Sequence, residues 1–133
     1  MRGAAEEIFA QGLEVGRTMS VGLEAVIANH LESGTPVVLE GDFIHPSLAA
    51  QEAFCPEPNG ERVRAVFLWE SDEDQLVANF SVREPAVPAQ LQPGRVSWLY
   101  GQWLRRDAAR WNQPVVEARP WETLFERVLR VVS

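Results

Sequence analysis

Residues 36–42 read Pro36-Val37-Val38-Leu39-Glu40-Gly41-Asp42, an apolar run that ends in two carboxylates. A short apolar run with β-branched residues is typical of a strand buried on both faces, as in parallel sheets. In open α/β folds the carboxyl ends of such strands face the ligand crevice. The pattern therefore predicts a strand over 37–39, with Glu40 and Asp42 at the edge where a metal ion or a reacting proton is handled.

The rest of the chain alternates between helical and strand patterns. Hydrophobic periodicity and turn residues predict strands at 37–39, 63–69 and 114–118 and helices at 4–32, 46–54, 72–83, 95–111 and from 121 onward. Because strands separated by helices are joined by crossover connections, we expect an α/β fold with a parallel sheet.

Individual residues refine these helices. Gly12, Gly16 and Gly22 predict that the first helix either bends near residues 12–17 or makes a close backbone contact there. Ser71 is the expected N-cap of the helix at 72–83. In the last helix we expect an inner face made of Trp121, Leu124, Phe125, Val128 and Val131.

Length and composition indicate a single globular domain over residues 1–133. The lone Cys55 excludes an internal disulfide framework and is typical of a reducing compartment. No apolar run approaches the roughly 18 residues that a membrane helix needs. The first residues turn acidic at once and lack a secretory apolar segment. We therefore expect a cytoplasmic protein with no membrane partner.

Charge is distributed unevenly along the chain. The net charge of −7 disfavours nucleic acid as a partner, since phosphate-backbone binding needs a broad basic face. Residues 1–61 hold two arginines and ten acidic residues, whereas residues 62–133 hold ten arginines and nine acidic residues. Every basic side chain apart from the two histidines is an arginine, and the sequence has no lysine. The arginine-rich second half could hold one small anion.

Four segments resemble the later part of a P-loop small-molecule kinase of the 2-phosphoglycerate-kinase-like and zeta-toxin-like branch. They are Pro36-Val37-Val38-Leu39-Glu40-Gly41-Asp42, Arg64-Ala65-Val66-Phe67-Leu68-Trp69-Glu70, Asn79-Phe80-Ser81-Val82-Arg83-Glu84-Pro85 and Glu117-Ala118-Arg119-Pro120-Trp121. The similarity extends over nearly the whole chain, and the segments occur in the order of that family. The resemblance implies a P-loop-kinase-like three-layer sandwich, truncated to three parallel strands with flanking helices and without the central P-loop strand.

The resemblance also implies site residues. Glu40 and Asp42 match the Walker-B-type carboxylates, with Asp42 on magnesium, and Arg83 matches a catalytic arginine of a lid over residues 82–95. Planar guanidinium groups suit the charge that spreads over a transferring phosphoryl group, and a stacking Arg or Trp suits adenine. ATP would then be bound by Arg95, Arg105, Arg106, Arg119 and Trp121. The acceptor, a small phosphate-bearing or hydroxyl compound, would meet Arg17 and His45.

One feature of the family does not occur in this sequence. No Gly-x-x-x-x-Gly-Lys-[Ser/Thr] loop is present, and no lysine could serve in one. The strand before that loop would lie between the strands at 37–39 and 63–69. Three explanations stay open: a truncated sequence, a front half supplied by a separate chain, or a degenerate protein whose strands pair directly.

The resemblance also implies a function, which the missing phosphate-binding loop limits. We expect an ATP-dependent small-molecule kinase domain fragment, implied to use ATP and magnesium and inactive alone because it lacks the phosphate cradle. Two alternatives remain: a non-catalytic module that forms a homodimer or binds a partner through its exposed sheet edge, and a phosphate-ligand-binding protein.

Overall fold

A computed structural model describes residues 3–85 and 91–133 of the chain. The described part is mostly helical and contains two small sheets. Its elements in chain order are α1 (Ala4–Ser33), α2 (Pro46–Ala49), β1 (Ala53–Phe54), β2 (Glu57–Pro58), β3 (Phe67–Trp69), α3 (Glu73–Arg83), α4 (Leu91–Arg110), β4 (Val115–Glu117), a 3-10 turn (Trp121–Thr123) and α5 (Leu124–Val132).

The first helix, α1, is continuous over 30 residues and ends at Gly34, whose φ of 68° is the left-handed conformation that glycine favours at a helix end. Its glycines permit close packing. Gly12 lies against the ring of Phe43, and a Cβ at Gly16 would lie 2.5 Å from the carbonyl oxygen of Phe43. Of the two expectations for these glycines, the close contact is confirmed.

The strand predicted at 37–39 does not form. Residues 35–41 are irregular, and the side chains of Val37, Val38 and Leu39 are 44%, 92% and 38% exposed. An apolar run becomes a buried strand only when neighbouring strands pair with it and helices cover it. No described strand pairs with residues 37–39. The prediction of three parallel strands is therefore wrong, since the parallel sheet has two strands among the described residues.

The crossover prediction holds for the remaining pair. β3 and β4 are parallel, with Phe67 opposite Val115 and Trp69 opposite Glu117, and α3 and α4 connect them. The other sheet was not expected: β1 and β2 form a two-residue antiparallel ribbon in place of the end of the helix predicted at 46–54. Over the described residues the chain is a mixed α/β protein with one parallel and one antiparallel sheet.

Two small hydrophobic clusters hold these elements together. Ile27, Leu48 and Phe54 join α1, α2 and β1, and Phe67 joins β3 to α4 by packing against Leu104 and Ala108. α4 also packs against α1 and α3. The helix α4 thus contacts α1, α2, α3 and β3.

Two predictions about helix detail are wrong. Asp72 caps α3 instead of Ser71, since its carboxylate accepts hydrogen bonds from the backbone N–H groups of Asp74 and Gln75 at 2.9 and 3.3 Å. On the last helix, Phe125 is 73% exposed and Trp121 is 53% exposed, so they do not form an inner face. α5 follows a short β4 and meets too little sheet to cover them.

The predicted lid at 82–95 includes residues 86–90, which lie outside the described residues, and α4 already begins at Leu91. Within 3–85 and 91–133, no helix combines the length and the apolar character that crossing a bilayer requires.

Replacing Gly16 by alanine tests the close packing of α1. The added methyl group would meet His45 and the backbone of Phe43, so we expect Gly16→Ala to lower the free energy of unfolding by about 1–3 kcal/mol. Gly22→Ala is the matched control, because nothing lies within 4 Å of a Cβ there. It should raise stability by about 0.5–1 kcal/mol through helix propensity. Urea unfolding measures both, and equal effects would contradict the packing.

Candidate functional site

The carboxyl ends of β3 and β4 are joined by an ion pair. Arg119 follows β4 and donates two hydrogen bonds to the carboxylate of Glu70, which follows β3, at 2.7 and 3.0 Å. The same guanidinium group donates to the side-chain oxygen of Gln75 at 3.2 Å and lies 3.9 Å from the carboxylate of Asp72. Every edge of the Arg119 fork is therefore engaged with α3 or with the residues that precede it.

One face of α4 lies along the segment that leaves β3. Arg95 forms an ion pair with Glu73 at 3.0 Å, and the indole N–H of Trp98 donates to the carbonyl of Ser71 at 3.0 Å. Two turns further, Arg105 lies over the ring of Trp69, 4.5 Å from its centroid. Because Arg95, Trp98 and Arg105 are spaced three and seven residues apart, they lie on the same side of the helix.

Gly101 allows this approach between α4 and β3. A Cβ on Gly101 would already be in contact with the Trp69 ring at 3.4 Å and would lie 3.9 Å from the carbonyl oxygen of Glu70. The indole N–H of Trp69 is buried and has no hydrogen-bond partner among the described residues. The ring of Trp69 thus packs against α4 at Gly101, and the guanidinium group of Arg105 lies over its face.

A cavity of about 100 Å³ opens at the strand ends, lined by Trp69, Glu70, Ser71, Glu117 and Arg119. Its electrostatics are set by the ion pair. The hydrogen bonds from Arg119 lower the pKa of Glu70, and Glu70 in turn raises the pKa of Arg119. Both groups are therefore charged at neutral pH, and an anion that enters would compete with Glu70 for Arg119.

A larger open depression of about 700 Å³ lies elsewhere on the molecule. Its lining includes Ala65 and Pro114, which precede β3 and β4, together with Glu52 and Glu61. It therefore lies at the amino ends of the parallel strands. Ligands of α/β sheets bind at the carboxyl ends, so the smaller cavity beside Arg119 is the stronger candidate.

The structure brings together three of the residues predicted to bind ATP. Arg95, Arg105 and Arg119 all contact the segment Trp69–Glu73. Two others lie apart from it: Arg106 is exposed, with no ion pair among the described residues, and Trp121 is largely exposed on the 3-10 turn. Helix α4 carries Arg105 and Arg106 in consecutive positions, which point in different directions about the axis.

The predicted catalytic residues do not join this group. Glu40 and Asp42 are exposed in the irregular segment and end no strand. Asp42 lies near the hydroxyl of Tyr100, whose pKa burial raises to about 12 with a smaller contribution from the Asp42 charge. Arg83 is exposed at the end of α3, with its guanidinium group 4.8 Å from the centroid of the Phe80 ring.

No cluster of three or more His, Cys, Asp or Glu side chains suited to a metal ion occurs within 3–85 and 91–133. Magnesium in phosphotransfer sites is held by one or two carboxylates together with substrate phosphates. The hard oxygen ligands of Glu40 and Asp42 fit that chemistry, and magnesium at Asp42 stays a prediction.

The predicted acceptor residues are near each other but differ in exposure. Arg17 is exposed and forms an ion pair with Glu14 one turn earlier. His45 precedes α2 and is only 6% exposed, with its ring 4.9 Å from that of Trp103 and its Nε2 without a hydrogen-bond partner among the described residues. Helices α1 and α4 enclose His45, so its side chain is buried although it stands directly before a helix.

Burial determines the protonation of His45. Loss of solvation lowers its pKa below the usual value of 6.5, and the charge of Arg17 lowers it further. The carboxylates of Asp107 on α4 and Glu14 on α1 oppose the shift, as does a hydrogen bond with the backbone of Leu13. Neutral His45 is thus the form that the folded protein favours.

Glu70, Asp72 and Trp69 are site residues that the sequence predictions missed. Trp69 ends a segment recognised as a strand, and Glu70 follows it directly, whereas Asp72 opens the helix predicted at 72–83. Glu70 occupies the same position after β3 that Glu40 holds after the run 37–39. A carboxylate directly after an apolar strand was the available signal. It identified Glu40, for which no strand formed, and not Glu70, for which one did.

The buried imidazole predicts a pH dependence of stability. Because the unfolded chain binds this proton at higher pH than the folded chain, the stability from neutral His45 is complete above pH 6.5. It is lost as pH falls through 6.5 toward the folded pKa, with a slope of at most about 1.4 kcal/mol per pH unit. Urea unfolding between pH 5.5 and 7.5 should show this slope in the wild type and in His30→Gln. His45→Gln should flatten it, and an unchanged slope would contradict the assignment.

Comparisons with known proteins give no relative: no family model matches the chain, and no significant match occurs among the curated proteins or among the solved structures.

Proposed function

We propose that this chain is part of an ATP-dependent small-molecule kinase domain and supplies an arginine clamp for phosphate groups. The observation that carries the proposal is the convergence of Arg95, Arg105 and Arg119 on the carboxyl end of β3. Parallel strands with a helical crossover direct their carboxyl ends to a ligand crevice. Guanidinium groups at that position suit phosphoryl oxygens.

The clamp would bind an anion by exchange. Arg119 presents a bidentate fork that Glu70 occupies in the free protein. A phosphate group offers the same two acceptor oxygens with more negative charge, so it would take over the hydrogen bonds and leave Glu70 to water. Arg105 would add positive charge across the Trp69 ring, whose indole edge could contact an adenine or an acceptor ring.

Asp42 lies outside the arginine group, and magnesium held there would supply charge neutralisation to phosphates that reach it. The arginines of this chain would orient the phosphate groups and neutralise part of their charge. The sequence contains no lysine to cradle the β- and γ-phosphates. Transfer therefore needs a further phosphate-binding element from outside the given sequence.

The first test is ATP turnover by the 133-residue chain. We expect no magnesium-dependent release of phosphate above the background of a mock preparation, because the transition-state charge has no P-loop partner. A coupled phosphate-release assay measures it. Sustained turnover that follows the protein through purification and disappears in Arg119→Gln would overturn this part of the proposal.

The second test separates binding from chemistry. By calorimetry, ATP affinity should fall about fivefold in Arg119→Gln, since the exposed guanidinium contributes a modest charge interaction. Glu70→Gln should raise the affinity by a similar factor, because it removes the competing carboxylate.

The controls repeat these substitutions at a second arginine–glutamate pair. Arg62 and Glu57 are joined at 3.2 Å in a different part of the chain, so Arg62→Gln and Glu57→Gln should leave ATP affinity unchanged. Adenosine, which carries no phosphate, should bind equally to all variants. If ATP binding is absent, or if both pairs change it equally, the clamp is excluded.

One observation favours the alternative of an interaction module. The apolar side chains of Val37, Val38 and Leu39 are exposed, and β3 has a strand neighbour on one side only among the described residues. Unpaired apolar segments and open edges are templates for pairing with another chain. An interaction of this kind is compatible with the clamp, since it uses a different surface.

A further inference from the structure

We propose that Gln75 is a positioning residue, which keeps the guanidinium group of Arg119 in place when a phosphate group displaces Glu70. Gln75 would act through Arg119 and would not touch the ligand itself. Its importance for binding rests on the proposed function, whereas the restraint on the Arg119 side chain does not.

The backbone on both sides of Arg119 is already fixed. The guanidinium group of Arg127, on α5, donates to the carbonyl oxygens of Glu117 and Pro120 at 2.5 and 2.7 Å. It also donates to the hydroxyl of Thr123 at 3.0 Å. The carbonyl groups before and after Arg119 are therefore held by one side chain, and the freedom that remains to Arg119 is that of its own side chain.

Glu70 and Gln75 bond to different nitrogens of the Arg119 side chain. Glu70 accepts from Nε and Nη2 at 2.7 and 3.0 Å, whereas the side-chain oxygen of Gln75 accepts from Nη1 at 3.2 Å. A phosphate group that replaces Glu70 needs the edge formed by Nε and Nη2. The bond to Gln75 would therefore persist through the exchange, and it reduces the side-chain entropy that Arg119 would otherwise lose on binding.

The direction of the Gln75 amide is set by Asn79, one turn further along α3. The amide nitrogen of Gln75 donates to the side-chain oxygen of Asn79 at 2.8 Å. Because that contact takes the donor end of the amide, the acceptor end is the one that faces Arg119. Gln75 and Asn79 are both half-buried, so water competes less for these bonds than it would on an open surface.

The usual partner of a glutamine at this helical position is already taken. Asp72 caps α3, and a glutamine three residues after a cap commonly accepts a hydrogen bond from the backbone N–H group of the cap residue. In this chain the N–H group of Asp72 donates to the carboxylate of Glu70 at 3.0 Å. The side-chain oxygen of Gln75 is thus left for Arg119.

A neutral acceptor suits the positioning role. The amide of Gln75 fixes the direction of the guanidinium group without cancelling its charge, so the charge stays available to a ligand. Asp72 already lies 3.9 Å from the Nη2 atom of Arg119. Gln75→Glu would add a further carboxylate, which would compete with an incoming anion as Glu70 does.

Nitrogen-15 NMR relaxation of the arginine side chains tests the restraint without a ligand, on the full 133-residue chain. In Glu70→Ala, which imitates displacement of the carboxylate, the Nε–H group of Arg119 should keep an order parameter close to that of Arg127. In the double variant Glu70→Ala/Gln75→Leu, it should fall toward that of the exposed Arg106. The signal of Arg119 is assigned by its absence from Arg119→Gln.

Two further positions provide controls in the same background. Gln51→Leu alters another half-buried glutamine, which donates to Glu24 at 2.9 Å, and should leave the order of Arg119 unchanged. Asn79→Asp keeps an acceptor for the Gln75 amide and should preserve the order, whereas Asn79→Leu should reduce it. The backbone amide spectrum of each variant reports whether the fold is intact.

Calorimetry with ATP tests the consequence for binding. Gln75→Leu should weaken ATP binding about threefold, because the ligand must then order Arg119 itself. Gln75→Glu should weaken it about fivefold although it keeps Arg119 ordered, because its carboxylate competes with the phosphates. In the Arg119→Gln background neither substitution should change the affinity further. A general structural role of Gln75 would instead lower the affinity in both backgrounds.

Three results would overturn the positioning role. They are an Arg119 side chain in Glu70→Ala that is as mobile as Arg106, an order parameter of Arg119 that the added Gln75→Leu leaves unchanged, and a loss of ATP affinity that persists in Arg119→Gln. A chain that shows the restraint but binds no ATP supports the positioning of Arg119 and excludes the phosphate clamp. A chain that binds ATP through Arg119 equally well in Gln75→Leu retains the clamp and excludes the positioning role.

Discussion

The packing of α4 against Phe67 is the constraint on which the described structure depends. Ala108 is fully buried there and Leu104 nearly so, which fixes α4 across the only parallel strand pair among the described residues. From that position the hydroxyl of Tyr100 anchors the backbone at Phe43, and the ring of Trp103 encloses His45. Because the contact between α1 and the turn at 43–45 depends on these side chains, one helix determines where the first third of the chain lies.

The same helix creates the candidate site. Its buried side supports β3, and the adjoining side carries Arg95, Trp98 and Arg105 along the segment that leaves that strand. Arg119 reaches the segment from β4 and joins it through Glu70. The arginines thus come from two elements that the fold places around a strand end. A cluster of this kind depends on the parallel pair and not on local sequence.

The sequence predicted those features that local physics determines. α1, the parallel pairing of β3 with β4, and Arg119 beside a strand end all follow from periodicity and chain order. It failed for the run 37–39, because a strand exists only when it has neighbours. It failed similarly at Phe125, whose apolar face has no described partner to bury it. Whether an apolar segment is buried depends on its tertiary partners, which a local sequence pattern does not reveal.

The ion pair between Arg119 and Glu70 has a consequence for selectivity. In the proposed function, a ligand would have to replace a carboxylate that already accepts two hydrogen bonds, so the site would discriminate by the number and density of acceptor charges. Neutral sugars and alcohols would gain nothing from that replacement, and a monovalent ion such as chloride would not span the fork. Only multiply charged oxyanions would therefore displace Glu70 from Arg119. Without a ligand, Glu70 holds the guanidinium group in bidentate geometry.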